Sequence, residues 1–196
     1  MRLILFATLG EALPTIELLR AQSEEKRLYN YAGGRIVITG YGALAALSAT
    51  LKEGVFADEI WNVGLAGTLV ENLPLGSIHQ VSCVTKATLL VPHDPIASEC
   101  HATHLPELSL VAEGVKLVTV DIPIHDEELR ARLAKKGMLV DMEGYGVAYA
   151  ARLLNKPVTL WKGVSDFASP GGRALIAQTK ERLATHLAEI IGSVIS

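Results

Sequence analysis

Short apolar runs alternate with amphipathic segments along most of the chain. Runs rich in aliphatic and β-branched residues, which predict strands, occur at 2–6, 35–39, 59–64, 115–120 and 158–164. Strands and helices that alternate in this way place helices on both faces of a sheet. The pattern therefore predicts an α/β fold of three layers (α/β/α) around a central mixed, mostly parallel sheet.

Helical spacing of apolar residues, a hairpin signal and one long loop complete this prediction. Helices are expected at about 10–20, 40–51, 126–135 and 144–154, and from about Ile176 to the C-terminus. The Gly33-Gly34 pair predicts a hairpin before the strand at 35–39. Further strands are expected within 77–90 and at 138–142. Residues 91–112, rich in Pro and His at their start, predict a long loop, and such loops often act as lids or binding elements.

The composition excludes several classes of function. A chain of 196 residues that is 49% apolar predicts a single folded domain, residues 1–196. Lys and Arg number 18 against 21 Asp and Glu, without a basic cluster, so no nucleic-acid partner is expected. No apolar run has the length of a membrane span, and the N-terminal run does not resemble a signal peptide. Two cysteines predict no disulfide framework, and we expect a cytoplasmic protein.

Two carboxylates, Asp141 and Glu143, stand between a strand pattern and a helix pattern in VDMEGYGVAYAARLL. One interpretation is structural, because Asp141 can cap the helix and Glu143 is favourable near the positive end of the helix dipole. The other is functional, because charges at such a junction are costly to bury without a purpose. The two residues alone do not decide between these interpretations.

Polar or glycine-rich chemistry follows three other predicted strands. Glu11 follows the first strand, NVGLAGTL at 62–69 predicts a turn with two glycines, and Ser165-Asp166 ends the strand at 158–164. Each has a structural alternative: a first-turn helix acid, a tight turn, and an Asx-turn or N-cap. Ligands of open α/β sheets gather at the carboxyl ends of the strands, so the coincidence of four such positions predicts a binding site there.

Two other motifs give weaker signals. Gly40, Gly42 and Ala45 fit the G-x-G-x-x-A pattern of dinucleotide-binding turns, but Asp58 and Glu59 precede the next strand instead of following it. We therefore favour a plain strand-to-helix turn. A zinc site is conceivable in the long loop, but the spacing of its candidate ligands matches no usual pattern, and a polar loop is favoured. Those candidates are His93, Cys100, His101 and His104.

Three segments in this order, NVGLAGTL, VDMEGYGVAYAA and WKGVSDFA, resemble the purine nucleoside phosphorylase/nucleosidase family. The closest branches are the methylthioadenosine/S-adenosylhomocysteine nucleosidases and the futalosine hydrolases. The resemblance runs over most of the chain and is weakest at 91–112. It implies a nucleoside phosphorylase-like fold, a homodimer, and a small-molecule purine nucleoside as substrate. It implies no metal and no cofactor.

The resemblance also implies a role for each matching residue. Asp166 matches the acid that protonates or hydrogen-bonds N7 of the departing purine, and Ser165 positions it. Glu143 matches the carboxylate that holds the ribose hydroxyls, with Met142 packed against the sugar. Glu11 matches the carboxylate that orients the attacking water. The glycine-rich segment Gly64, Leu65, Ala66 and Gly67 matches a substrate-binding turn.

Residue types at these positions favour hydrolysis over phosphorolysis. A phosphate site usually presents arginines and a hydroxyl near the glycine turns, whereas this chain has Leu65 in one turn and Glu11 in the other. Leu65 stands where relatives often carry Ser, and Lys162 where they often carry Arg. The form NVG-x-AG and the short chain favour futalosine or aminodeoxyfutalosine, and hence menaquinone biosynthesis. A methylthioadenosine/S-adenosylhomocysteine nucleosidase, a phosphorylase and a non-catalytic nucleotide-binding domain remain as alternatives.

Overall fold

The computed structural model describes residues 1–87 and 105–195. In these residues the strands are β1 Arg2–Phe6, β2 Gln22–Glu25, β3 Leu28–Tyr31, β4 Gly34–Ile38, β5 Glu59–Thr68, β6 Ile78–Lys86, β7 Leu108–Ser109, β8 Val115–Thr119, β9 Leu139–Asp141 and β10 Val158–Asp166. The helices are α1 Leu9–Leu18, α2 Ala43–Gly54, α3 Glu127–Ala134, α4 Gly144–Leu153 and α5 Gly172–Ile195. The predicted alternation of strands and helices is confirmed.

The strands form one mixed sheet whose central strand is β5. Strand β1 lies between β4 and β5, and all three run parallel; β3 and β2 extend the sheet beyond β4 as antiparallel hairpin strands. On its other side β5 pairs in parallel with β10 along most of its length. The remaining pairings run from β10 through β6, β8 and β9 back to the end of β5. The sheet therefore closes on itself at one end, and β5 takes part in both the open and the closed parts.

Alternating residues of β1 face two different helical layers. Ile4 and Phe6 pack in a buried cluster with Ile16 of α1 and with Leu187 and Ile191 of α5. On the opposite face, Leu3 and Leu5 pack with apolar residues of α2 and α4. This period-two division of a buried strand produces the predicted three layers.

The structure differs from the sequence prediction at β5. The turn predicted at 62–69 is wrong, because β5 continues through this segment to Thr68 and carries Gly64 and Gly67 in its interior. Two neighbouring strands explain the extension. Gly64 and Gly67 pair with Lys162 and Asp166 of β10, and Gly67 also pairs with Val140 of β9. The glycines are places of close approach within a strand and not a change of direction.

Two further differences concern the edges of the fold. Strand β2 was not predicted, because its sequence Gln-Ser-Glu-Glu is polar and fully exposed and pairs only with β3. The predicted loop at 91–112 extends into the described residues from Leu105 onward, where β7 forms a short pairing with β6. Residues 88–104 lie outside the described residues, as does the first part of that predicted loop.

Helices α2 and α4 touch so closely at Gly146 that no side chain fits there. A Cβ atom on Gly146 would lie 2.0 Å from the backbone oxygen of Ala43. We therefore expect Gly146→Ala to lower the free energy of unfolding by about 3 kcal/mol or more, since the two helices must separate. Gly10→Ala is the control, because no atom lies within 4 Å of its Cβ position and alanine is favoured in a helix. Urea unfolding measures both, and equal stability of the two variants would contradict the close contact.

Candidate active site

Glu11 is held at the start of α1 by a reciprocal pair of hydrogen bonds. The Thr8 side chain accepts a bond from the Glu11 amide, and the Thr8 amide donates to Glu11 Oε2 at 2.9 Å. This capping box satisfies two helix amides and fixes the carboxylate at the carboxyl end of β1. Among the described residues, no hydrogen bond reaches the other oxygen, Oε1. That oxygen faces Gly64 of β5, 3.7 Å from the position that a Cβ atom would occupy.

Glu143 is also held by a backbone amide, from the far side of the site. The amide of Gly42, the residue before α2, donates to Glu143 Oε1 at 2.8 Å. Glu143 itself precedes α4 and is buried. Gly42 has φ = 96°, a backbone conformation that favours glycine. The turn at Gly40–Gly42 therefore positions an amide that binds Glu143, a contact that the sequence did not predict.

Asp141 and Lys162 form an ion pair inside the protein. Lys162 Nζ lies 2.8 Å from Asp141 Oδ2, and both side chains are 1% exposed. Lys162 Nζ also donates to Asn62 Oδ1 at 2.7 Å. Asp141 accepts further bonds from the Thr119 hydroxyl at 2.6 Å and from the Gly144 amide at 2.8 Å. A buried ion pair is tolerated when other hydrogen bonds satisfy its remaining atoms, and here they do.

The N-cap residue of α4 is Glu143 and not Asp141 as predicted, but the Asp141 side chain still serves the start of the helix as well as the ion pair. It binds the first amide of α4, and Thr119 completes the junction by accepting a bond from the Tyr145 amide at 2.9 Å. Lys162 brings the pair next to Glu11, since its Nζ lies 3.8 Å from the Cβ position of Gly64 that Glu11 Oε1 also faces. A substituent on Gly64 would project between the lysine and the glutamate. The glycine keeps that space open.

Asp166 occupies the last position of β10 and is buried. Its Oδ2 accepts a hydrogen bond from the Ser165 hydroxyl at 2.8 Å, and its Oδ1 accepts one from the Ala168 amide at 2.7 Å. Cβ atoms on Gly67 and Gly172 would each lie 3.0 Å from Oδ1. Both glycines therefore leave room for the carboxylate, and Ser165 contacts the acid that the resemblance assigns it to position.

A β-bulge sets the direction of Ser165 and Asp166. Val164 pairs with Ala66, but Asp166 pairs with Gly67, so β10 carries one residue more than β5 at this point. Bulges re-aim side chains and are common next to functional sites. The bulge is fixed from behind, because the Thr179 hydroxyl of α5 donates to the backbone oxygen of Ser165 at 3.0 Å.

The two groups of polar residues lie along one strand pair. Lys162 pairs with Gly64, where Glu11 approaches, and Asp166 pairs with Gly67. Three residues of a strand span roughly 10 Å, so the Glu11 group and Asp166 lie on the order of 10 Å apart along β5. Such a separation suits two groups that contact different parts of one small molecule.

Burial and neighbouring charges raise the pKa of Glu143 to about 7. Burial is the main cause, because it disfavours the charged carboxylate, and the neighbouring Asp141 raises the pKa further. Lys162 and the Gly42 amide act in the opposite direction, and Glu11 adds a smaller increase. Perturbed carboxylates of this kind are concentrated at functional sites.

The structure places the other predicted site residues less directly. Met142 is half-buried between β9 and α4. Leu65 packs against the cluster below α1 and α5, and Ala66 belongs to the core cluster around Leu160 and Val164. The backbone oxygen of Ala66 accepts a hydrogen bond from the Ser165 hydroxyl at 3.3 Å. The Leu65 and Ala66 side chains are thus part of the packing that supports the site.

The sequence did not predict that Asn62, Thr119 and Gly42 contact the acids and the lysine of the site. It also predicted no partner for Lys162. A signal was present for two of them, because Asn62 and Lys162 interrupt strands that are otherwise apolar. Polar residues in the middle of buried strands require partners. Those partners could not be identified, since Asn62 and Lys162 are 100 residues apart in the chain.

The two weaker motifs have different outcomes. The plain turn favoured at Gly40–Gly42 agrees with the structure, and Glu59 at the start of β5 pairs with Arg2 at the far end of the strands. The histidine and cysteine candidates for zinc lie outside the described residues. Within 1–87 and 105–195, no group of three or more His, Cys, Asp or Glu could hold a metal ion. The same residues contain no helix long and apolar enough to cross a membrane.

Comparison with known proteins adds a structural relationship that sequence comparison does not detect. No protein-family profile and no curated protein matches this chain. Among solved structures, a Helicobacter pylori 5'-methylthioadenosine/S-adenosyl homocysteine nucleosidase is 19% identical with a TM-score of 0.78, covering 99% of this chain and 97% of that chain. The futalosine hydrolase of Helicobacter pylori strain 26695 is 18% identical with a TM-score of 0.78, covering 99% and 96%. This chain has the nucleosidase fold.

A third solved structure strengthens the assignment of the fold. A variant of the Chlamydia trachomatis nucleosidase of the same class, bound to methylthioadenosine, is 23% identical with a TM-score of 0.81. It covers 99% of this chain and 96% of that chain. The nucleosidase fold therefore extends over nearly the whole of this chain, and the predicted nucleoside phosphorylase-like architecture is confirmed.

The raised pKa of Glu143 predicts a gain in stability when the carboxylate is removed. A folded-state pKa of about 7 against an ordinary 4.5 means that the contribution of Glu143 to stability is present below pH 4.5 and is lost as pH rises through 7. Glu143→Gln avoids this loss, because an amide keeps an oxygen for the Gly42 amide. We expect the variant to be more stable than the wild type by up to about 3 kcal/mol at pH 9.

Urea unfolding at pH 5 and pH 9 measures this effect. The gain should be small at pH 5 and large at pH 9. Glu53→Gln is the control, because Glu53 pairs with Arg35 near the start of β4, away from the carboxyl ends of the strands, and its removal should give no gain. A Glu143→Gln variant no more stable than the wild type at pH 9 would contradict the cost of burying this charge.

Proposed function

We propose that this protein is a purine nucleosidase that hydrolyses the N-ribosidic bond of a 5'-substituted purine nucleoside. The supporting observation is the arrangement of three acids: Glu11 lies at Gly64 of β5, Asp166 pairs with Gly67 of the same strand, and Glu143 lies within electrostatic reach of Glu11 and Lys162. Cleavage of this bond develops positive charge on the sugar and negative charge on the base. Carboxylates near the sugar and an acid at the base address these two needs.

Each acid has a proposed role that its contacts favour. Asp166 donates a proton or hydrogen bond to the departing base, with Ser165 and the Ala168 amide holding its two oxygens. Glu143 accepts hydrogen bonds from the ribose hydroxyls, while Gly42 holds one of its oxygens. Glu11 orients the attacking water through Oε1, since Oε2 is occupied by Thr8. Water between Glu11 Oε1 and Lys162 Nζ would fill the space above Gly64.

The charges around this space favour water over phosphate as the nucleophile. Among the described groups that act on Glu143, two carboxylates, Asp141 and Glu11, face one buried cation, Lys162. A phosphate dianion at the same place would be repelled by Glu11 and would find no bidentate arginine there. Hydrolysis is therefore proposed in preference to phosphorolysis.

For the substrate we propose futalosine or aminodeoxyfutalosine, which would place the protein in menaquinone biosynthesis. Methylthioadenosine or S-adenosylhomocysteine is the second candidate, favoured by the likeness to the Helicobacter pylori and Chlamydia trachomatis nucleosidases of that class. We further propose that the chain acts as one domain, as a cytoplasmic homodimer, without a metal or cofactor.

The experiment that tests this function is chromatographic detection of free base. Purified protein is incubated with futalosine, aminodeoxyfutalosine, methylthioadenosine or adenosine, each with and without phosphate. Base released from the first two without phosphate supports the proposed substrate, and release mainly from methylthioadenosine moves the protein to the second candidate. Release only with phosphate contradicts hydrolysis. Absence of release from every substrate contradicts the enzymatic function and favours a binding domain.

A further inference from the structure

Helix α5 lies against β10 and approaches it closely at three places near the end of the strand. A Cβ atom on Gly163 would lie 2.9 Å from a side-chain carbon of α5, and one on Gly172 would lie 3.0 Å from Asp166 Oδ1. Between these two places, the Thr179 hydroxyl of α5 donates to the backbone oxygen of Ser165 at 3.0 Å. This hydrogen bond joins the helix to the strand one residue before Asp166. None of the roles proposed above uses it.

The backbone oxygen that Thr179 binds belongs to the extra residue of the β-bulge. Strand β10 carries one residue more than β5 between Val164 and Asp166, so Ser165 lies outside the regular pairing of the two strands. A bulged residue interrupts the ladder of hydrogen bonds, and its buried backbone groups need partners from elsewhere. Thr179 supplies such a partner from the neighbouring helical layer. The bulge is therefore anchored to α5 at the peptide group that leads into Asp166.

The segment that follows the bulge has an unfavourable backbone conformation. Ala168 has φ = 48°, in the left-handed region that residues with a Cβ atom rarely adopt. This conformation accompanies the hydrogen bond from the Ala168 amide to Asp166 Oδ1 at 2.7 Å. A residue keeps such a conformation when the contacts around it fix the backbone. Contacts that anchor the bulge therefore also keep the Asp166 carboxylate in place.

We propose that Thr179 is a positioning residue for Asp166, which it fixes through the backbone of Ser165 without contacting the substrate. This inference rests on the proposed function, because it takes Asp166 as the acid that acts on the departing base. The Thr179 hydroxyl also lies 2.9 Å from the backbone oxygen of Leu175, one turn earlier in α5. The side chain is thus held by the helix as well as by the strand, so α5 sets the position of the bulge.

Hydrogen exchange of the Ala168 amide, measured by NMR, tests the positioning role without any substrate. Thr179→Val removes the hydroxyl and keeps the shape of the side chain, so this amide should exchange roughly 3- to 10-fold faster, as expected for the loss of one hydrogen bond. Thr179→Ser keeps the hydroxyl and should exchange at the wild-type rate. The slowest amides of β1 serve as the internal standard, because they report global unfolding.

Thr185→Val is the matched control on the same helix. The Thr185 hydroxyl donates to the backbone oxygen of Glu181, one turn earlier, and the residue is exposed. Its replacement removes the same kind of bond within α5 without touching β10, so exchange at Ala168 should not change. Thr179→Ala removes the hydroxyl in favour of a strong helix former and provides the test if the valine variant does not fold.

Steady-state kinetics test whether the anchor matters for the reaction. Thr179→Val should lower kcat roughly 3- to 10-fold and leave KM nearly unchanged, because the acid is displaced while the nucleoside still binds. Thr179→Ser and Thr185→Val should retain the wild-type kcat. The loss should disappear when Thr179→Val is combined with Asp166→Asn, since a residue that acts only through Asp166 then has no acid left to position.

The outcomes separate failure of this inference from failure of the proposed function. If Ala168 exchanges faster in Thr179→Val but even the wild type releases no base from any nucleoside, the anchoring of Asp166 stands and the proposed function fails. If the wild type releases base, but Thr179→Val and Thr179→Ala keep the wild-type exchange or the wild-type kcat, the positioning role is overturned and the function stands. An equal loss of kcat with and without Asp166→Asn also overturns it, because Thr179 would then act elsewhere.

Discussion

Replacement of Asp166 by asparagine is expected to reduce kcat by roughly 10²- to 10⁴-fold, the contribution usual for a general acid. Asparagine keeps an oxygen for the Ala168 amide and a polar group beside Ser165, so the bulge and the surrounding packing should remain. It cannot supply a proton to the departing purine. KM should therefore change much less than kcat, because substrate binding does not depend on that proton. Steady-state assays of base release measure both quantities.

Ser165→Ala is the matched comparison for Asp166→Asn. It removes one hydrogen bond to Asp166 Oδ2 and leaves the carboxyl group in place, held by the Ala168 amide. Its effect on kcat should therefore be well below that of the asparagine variant. Equal losses in the two variants would indicate that Asp166 matters only for the shape of the bulge. Retention of wild-type kcat in Asp166→Asn would remove Asp166 from the proposed mechanism.

Glu11→Gln is expected to give the second large effect, again a loss in kcat of roughly 10²-fold or more. Glutamine can replace glutamate in a capping box, so α1 should keep its start and the protein its stability. The amide cannot accept a proton from water at the position of Oε1, which faces Gly64. Attack on the sugar should therefore slow while the nucleoside still binds.

Two controls separate the role of Glu11 in capping from its role in chemistry. Glu17→Gln changes an exposed carboxylate on the same helix and should leave both activity and stability unchanged. Thr8→Ser retains the hydroxyl that caps α1 and should preserve most of the activity. The proposal for Glu11 is contradicted if Glu11→Gln turns over substrate at the rate of Glu17→Gln. A large loss of stability in Glu11→Gln would instead assign it to the helix.

The parts of the fold and site that could be predicted are those carried by local pattern. Apolar strands alternating with helices indicated the three layers, and acids placed just after strands indicated Glu11 and Asp166. Glu11 and Glu143 are more than a hundred residues apart in the sequence. The fold nevertheless brings them close enough for Glu11 to affect the pKa of Glu143. That meeting follows from topology, since strand ends of an α/β sheet converge at one edge.

The parts that could not be predicted depend on neighbours distant in the chain. Gly64 and Gly67 give a turn signal locally, yet they lie in a strand because that strand pairs with β10 and, at Gly67, with β9. Asp141 gave two interpretations, a cap and a functional acid, and it binds both the Gly144 amide and Lys162. The spacing of residues along the chain cannot predict contacts between residues 100 positions apart, such as that of Lys162 with Asn62.

The burial of Lys162 also makes it an internal reporter of folding. Acetylating and other amine-directed reagents need an exposed, unprotonated amine, whereas Lys162 Nζ is enclosed and bound to both Asp141 and Asn62. Exposed lysines such as Lys52 should be modified in the native protein long before Lys162 reacts. Mass spectrometry of the labelled peptides would then follow opening of the strand pair β5–β10 through the appearance of label on Lys162. The same amine that would support the chemistry of the site thus records when the site comes apart.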